Sequence, residues 1–162
     1  MIVNTADLCD AHEPSVSVAE PLFQDFGGIE SFHGKIATVR CFEDNSLVRE
    51  ALRSPGARQV LVVDGGGSRR RALVGDLLAQ AGADNQWAGI IVFGCIRDSH
   101  VISTIQIGCK ALATIPLKTE KKGAGEKDIP VRFASVDFIP GHFLYADKDG
   151  IIVSEKSLIA DS

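Results

Sequence analysis

The chain has 162 residues and a formal net charge of −4, with 45% hydrophobic and 23% charged residues. That length predicts one domain, residues 1–162, and that balance predicts a soluble globular chain able to build its own core. The negative charge argues against direct nucleic-acid binding or attraction to an acidic membrane, and leaves room only for a local basic patch.

Residues 1–14 carry no basic and apolar leader pattern, and the longest apolar run, 89–96, is too short to span a bilayer, so the expected location is cytoplasmic. Residues 5–12 predict a short helix capped by Thr5 and stopped at Pro14. A mixed segment follows over 16–26, broken by Gly27-Gly28. Residues 35–42 are β-branched and partly alternating, which predicts a strand. Residues 45–53 place Leu47, Val48, Ala51 and Leu52 at helical spacing, with Asn45 or Ser46 as cap. Residues 59–63 predict a strand covered on both faces. A helix is expected over 72–82, a second buried strand over 89–93, a short helix over 99–107 capped by Ser99, and a strand over 110–115. Residues 118–128 are polar and read as a surface loop. Short strands over 131–138, 143–146 and 150–154 close the chain. The order predicts an α/β domain with a mixed sheet.

Four cysteines, Cys9, Cys41, Cys95 and Cys109, form no Cys-x-x-Cys pair, and three lie in or beside apolar runs. They read as small buried residues. The histidines His12, His33, His100 and His142 lack zinc-like spacing and read as bland, with His100 and His142 kept as minor candidates to approach the site. Asp64-Gly65-Gly66-Gly67 matches neither a dinucleotide nor a Walker loop and predicts a tight turn. Arg69-Arg70-Arg71 reads as a solvated face.

Two polar ends of the stretch 75–98 carry the candidate chemistry. Gly75-Asp76-Leu77-Leu78 opens a helix whose first amides can face an anion. The competing reading has Asp76 capping a helix that packs Leu77 and Leu78 inside. Arg97-Asp98 follows a buried strand, where side chains are held by the sheet yet open to a crevice. Arg97 offers a planar fork for a carboxylate or oxyanion. Asp98 offers a hard oxygen ligand, and magnesium needs only one or two protein carboxylates. Twenty residues separate Asp76 from Arg97.

With the segments 5–10, 26–28, 39–45, 62–68 and 144–152, these motifs resemble over nearly the whole chain the family that joins the regulators of ribonuclease activity A to the metal-dependent 4-hydroxy-4-methyl-2-oxoglutarate aldolases. The resemblance implies a swivelling α/β/β sandwich and a ring-shaped homotrimer with sites between subunits. Several segments are close to the regulator branch. The acidic residue, twenty-residue spacer and Arg-Asp match the aldolase branch. That branch implies that the Gly75, Asp76, Leu77 and Leu78 backbone and Arg97 bind a small 2-oxo acid. It also implies that Arg97 and Asp76 serve catalysis and that Asp98 holds a divalent cation, magnesium or manganese. The expected reactions are cleavage of 4-hydroxy-4-methyl-2-oxoglutarate to two pyruvates and decarboxylation of oxaloacetate. The alternative is a protein-binding inhibitor of an endoribonuclease of the ribonuclease E type. His142 departs from the pattern, since relatives often carry Asp there.

Overall fold

A computed structural model describes residues 2–160. Helix α1 (Thr5–His12) is capped by Asn4, whose side chain accepts the Asp7 amide. Thr5, the expected cap, is buried instead. Its amide and hydroxyl donate to the Asp147 carboxylate at 2.8 and 2.6 Å, pinning the helix to the far end of the chain. The mixed segment yields two short strands, β1 (Ser17–Val18) and β2 (Gln24–Asp25). Strand β3 (Phe32–Arg40) begins earlier than expected and stops before Cys41. Helix α2 (Ser46–Leu52) has Asn45 in the cap position without a capping bond; Asp44 Oδ1 accepts the Ser46 amide at 2.9 Å. Strand β4 (Val60–Asp64) follows.

Residues 72–82 are not one helix. They form a strand, β5 (Ala72–Val74), and then the start of helix α3 (Asp76–Asp84). All three residues of β5 are buried, and sheet pairing satisfies their backbone better than a helix could there. Strand β6 (Gly89–Ile96) is three residues longer than expected, and helix α4 (Ser99–Ile102) is one turn rather than a helix to 107. Its cap position is Asp98, not Ser99. Strand β7 (Gly108–Thr114) comes next, and β8 (Glu126–Lys127) lies inside the expected loop. Residues 131–138 split into a hairpin, β9 (Val131–Phe133) and β10 (Val136–Phe138), turned by Ala134 and Ser135 at φ 51° and 64°. Strands β11 (Phe143–Asp147) and β12 (Gly150–Ser154) finish the fold.

The strand order is β1-β12-β11-β3-β4-β6-β7-β2, with β5 beside β6 and β8 beside β3. The β3, β4, β6 and β7 run is parallel, whereas β1, β12 and β11 pair antiparallel. Strand β3 belongs to both parts. Phe32 to Lys35 pair antiparallel with β11, and Ile36 to Arg40 pair parallel with β4. Gly34 sits at the change, where a Cβ would overlap the Arg58 carbonyl oxygen.

Along β4 and β6 the apolar run alternates between two cores. Leu61, Val63, Ile90 and Val92 pack with residues of α2, α3 and α4. Val60, Val62 and Ile91 pack with Phe32, Phe133, Phe138 and Leu144. Both faces are covered, which is why these strands are apolar throughout. The result is the expected α/β sandwich: a helical layer, a mixed sheet, and a second antiparallel layer. Cys41, Cys95 and Cys109 are buried in it, and burial pushes the Cys41 and Cys109 thiols up to about 12, so they pack rather than react.

Candidate active site

The carboxyl ends of the parallel strands share one edge, and β5 converts that edge into a cleft. Strand β4 leaves the sheet through Gly65, Gly66 and Gly67, the last two at φ 67° and 72°. The Gly65 and Gly67 amides both donate to the Phe93 carbonyl at 3.1 Å, so this is the expected tight turn. The chain then returns as β5 in the position beside β6 that β4 has vacated: β4 pairs with Gly89 to Phe93, and β5 with Cys95 and Ile96.

The two polar ends of the stretch 75–98 therefore meet. The Arg97 amide donates to the Val74 carbonyl at 2.9 Å, and the Asp76 amide donates to Asp98 Oδ2 at 3.1 Å. Asp98 takes the left-handed conformation, φ 57°, which Asp tolerates better than most residues. Arg97 Nε stands 3.9 Å from the same carboxylate oxygen. The closeness explains Gly75: a Cβ there would lie 2.8 Å from Asp98 Oδ2 and 3.3 Å from Arg97 Nε. Asp76 Oδ1 accepts the Leu77 amide at 2.9 Å. Two of the first amides of α3 are thus already engaged, while the Gly75 and Leu78 amides make no hydrogen bond among the described residues. Leu78 packs against the core, but Leu77 is 78% exposed at the mouth, so the reading with both leucines inside holds for only one.

These residues line a cleft of about 330 Å³, together with side chains that sequence reasoning missed. Arg49 and Arg53 come from α2 and its carboxyl end, Lys118 and Lys121 from the segment after Pro116. With Arg97 they make five cations against the two carboxylates of Asp76 and Asp98. The signal available was the four-residue spacing of Arg49 and Arg53, which puts them on one helix face. Nothing local in sequence tied the 118–128 segment to that face.

A buried polar node ties it. Asn45 Nδ2 donates to the Leu73 carbonyl at 2.9 Å, and Thr119 Oγ1 donates to Asn45 Oδ1 at 2.7 Å. Asp44 accepts the Ser46 amide and hydroxyl on Oδ1, and the Lys122 and Ala124 amides on Oδ2. Burial opposes the charge of Asp44, but these donors outweigh it and hold the carboxyl at about 2. One node thus fixes α2, β5 and the lysine-bearing segment relative to one another.

The remaining sequence candidates lie elsewhere. None of the four histidines lines the cleft. His33 stacks on Tyr145 with ring centroids 5.8 Å apart, and its burial lowers its pKa. Arg70 pairs with Glu43 at 2.7 Å and Arg71 with Glu120 at 3.5 Å, the surface role expected of that run. A larger cavity, about 980 Å³, opens at the amino ends of β3 and β6, away from this cleft, and no carboxylate lines it.

The donor set fits a hard divalent cation. Asp98 Oδ1 and Asp76 Oδ2 accept no hydrogen bond among the described residues and lie in the lined cleft. Among those residues no group of three or more His, Cys, Asp or Glu side chains is placed to hold a metal. A cation here would depend on one or two carboxylates, with water and substrate oxygens completing its shell, as magnesium commonly does.

A mixed α/β sandwich with this strand order defines the class. The chain belongs to the RraA-like family: the family model described as Aldolase/RraA matches residues 5–153. A relative in Aromatoleum aromaticum, provisionally named a 4-hydroxy-4-methyl-2-oxoglutarate aldolase, is 59% identical over 98% of this chain and all of the relative. A Pseudomonas aeruginosa relative with the same provisional name is 56% identical over 95% of both chains. Among solved structures, the Thermus thermophilus RNA-processing inhibitor RraA is 42% identical with a TM-score of 0.94, covering 99% of this chain and 98% of that one. A Geobacillus kaustophilus structure described as an S-adenosylmethionine:2-dimethylmenaquinone methyltransferase is 49% identical with the same TM-score, covering 99% of each chain. No helix among the described residues is long and apolar enough to cross a membrane.

Proposed function

We propose that this chain is a divalent-metal-dependent carbon–carbon lyase. It cleaves 4-hydroxy-4-methyl-2-oxoglutarate to two pyruvates and decarboxylates oxaloacetate through the same pyruvate enolate. The names of its relatives differ, so the reading rests on the site, because function resides in sites rather than folds. The observation that carries it is the contact of Asp76, Arg97 and Asp98 across β5 and β6, in a cleft crowded with cations.

The guanidinium of Arg97 hydrogen-bonds the carboxylate and keto oxygen of the 2-oxo acid, and stays charged throughout. The Gly75 and Leu78 amides at the amino end of α3 face the same anion. Asp76 orients Arg97 or a water beside it. Asp98 would hold a divalent cation, magnesium or manganese, which would supply Lewis acidity to the bound 2-oxo acid. In cleavage, the C4 hydroxyl loses its proton and becomes the keto group of the first pyruvate. The electron pair of the C3–C4 bond passes into an enolate, which takes a proton at C3 to give the second. Oxaloacetate reaches that enolate by losing carbon dioxide. Arg97 stabilises the developing oxyanion, a contribution that typically amounts to several kcal/mol in water-poor sites. We further propose that the chain works in the cytoplasm as one domain, assembled into a homotrimer.

A coupled assay of pyruvate release, with and without magnesium, tests the reading. Asp98→Ala and Arg97→Ala should each reduce turnover by roughly 10²-fold or more, with assembly retained in both and the melting temperature retained in Arg97→Ala. Full activity in either variant would sink the assignment.

The likeness to RraA supports a second reading, binding and inhibition of an endoribonuclease of the ribonuclease E type. An acidic surface could compete there for a basic RNA-binding region. A complex that forms equally well with Arg97→Ala would support it, and no complex at micromolar concentration would count against it.

A further inference from the structure

We propose that the cavity at the amino ends of β3 and β6 is a second ligand site, independent of the cleft, for a nucleotide-sized heteroaromatic phosphate ester.

Two places in the chain call for glycine and carry a long polar side chain instead. Residues 56–59 form a tight turn, closed by the Gln59 amide donating to the Gly56 carbonyl at 2.9 Å. Its central residues, Ala57 and Arg58, stand at φ 49° and 64°. Turns with both central residues at positive φ favour Asn-Gly or Gly-Gly. Helix α3 ends with the Gln86 amide donating to the Ala83 carbonyl at 3.1 Å and the Trp87 amide to the Gly82 carbonyl at 2.9 Å. That pairing puts Gln86 in the left-handed position, φ 64°, where glycine is the usual residue. The two places are joined, because the Arg58 amide donates to the Gln86 carbonyl at 2.8 Å. Left-handed backbone is unfavourable for such side chains, and strain of this kind gathers at functional sites. Ala57, Arg58 and Gln86 all line one cavity of about 980 Å³.

The lining states what the strain serves. No Asp or Glu lines this cavity, although the chain as a whole is acidic. Arg58 and Lys35 both line it, and neither makes an ion pair among the described residues. The fold fixes their segments together. Lys35 pairs with Phe143 across β3 and β11, its Nζ 5.9 Å from the ring centroid, and the Arg58 carbonyl rests against Gly34, the neighbour of Lys35. A guanidinium and an ammonium from adjoining segments suit a phosphate. The Gln86 and Gln106 carboxamides make no side-chain hydrogen bond among the described residues, and each offers both donors and an acceptor. They complement the polar edge of a heteroaromatic ring, and the Trp87 ring supplies apolar wall. The volume is at the upper end for small-molecule pockets, more than pyruvate or inorganic phosphate would fill.

Trp87 is the one tryptophan of the chain, so its emission reports binding in this cavity. AMP, GMP, CMP and UMP are titrated by calorimetry and by that emission. At least one should bind and shift the emission, with its nucleoside and inorganic phosphate each weaker by about tenfold or more. Arg58→Gly and Gln86→Gly should weaken that binding by about tenfold. Both should raise the melting temperature by about 2–4 °C, because glycine relieves the left-handed backbone. Lys35→Gln should weaken binding with the melting temperature held, and Arg97→Ala should bind the nucleotide as the wild type does. Binding of none of the four overturns the proposal. A higher melting temperature with unchanged affinity in both glycine variants also overturns it, since Arg58 and Gln86 would then only shape turns. A nucleotide that Arg97→Ala loses and Arg58→Gly retains belongs to the cleft, which overturns it too.

Discussion

At the scale of single residues, Gly75 is the sharpest constraint on the cleft. It is extended, φ −119°, so its backbone would accept any residue; space alone selects glycine. Gly75→Ala should push Asp98 and Arg97 apart by a few tenths of an ångström. A misplacement of about 1 Å in an active site can cost roughly 10²-fold in rate, so a shift of this size should cost a smaller factor, roughly severalfold to tenfold. Pyruvate release should fall by that factor with little change in melting temperature; unaltered turnover would show that the contact has no role. Asp44 makes a prediction about stability instead. Its folded pKa is depressed from 3.8 to about 2. The linked stabilisation, on the order of 2 kcal/mol, is fully present above pH 4 and is lost as pH falls through 2. Denaturant titrations across that range should show this slope in the wild-type chain and a shallower one in Asp44→Asn, which is less stable at pH 7.

At the scale of elements, the main strands and helices were legible because their apolar residues recur with period. Strands β4 and β6 read as buried runs because two layers cover them, and α1 and α2 carry local stop signals. What was not legible depended on distant partners. Ala72, Leu73 and Val74 have nothing in sequence that separates a strand from a helix turn; the free end of β6 decides it. Strand β8 exists because the end of β3 offers an edge, and α4 ends after one turn because Ile105 and Ile107 are drawn into the core. The Asp76, Arg97 and Asp98 part of the cleft could be read from spacing and resemblance. The cationic part could not, because Asn45 and Thr119 lie 74 residues apart and join only in the fold. Packing between elements gives its own test. The Phe32 ring fills the space over Gly89 and Gly108, where a Cβ would overlap it. Gly108→Ala should cost about 1–3 kcal/mol by overpacking. Phe32→Leu should recover part of that loss in a double-mutant cycle. Simple additivity would mean that the ring does not hold this position.

At the scale of the whole molecule, a net charge of −4 coexists with a cleft where five cations face two carboxylates. That separation of sign draws small anions to one edge of an otherwise acidic surface, so KM for a dicarboxylic substrate should rise steeply between low and physiological salt. A flat salt response would place substrate recognition outside this cleft. Sedimentation of the purified chain should give three times the monomer mass, and a monomer would remove the homotrimer from the account. The central claim is that the Asp76, Arg97 and Asp98 contact makes a metal-assisted lyase. Pyruvate release from 4-hydroxy-4-methyl-2-oxoglutarate, measured with magnesium, after chelation, and in Asp98→Ala, tests it most directly. The account predicts turnover that chelation abolishes, magnesium restores and Asp98→Ala lacks; pyruvate release that survives both chelation and the substitution would contradict it.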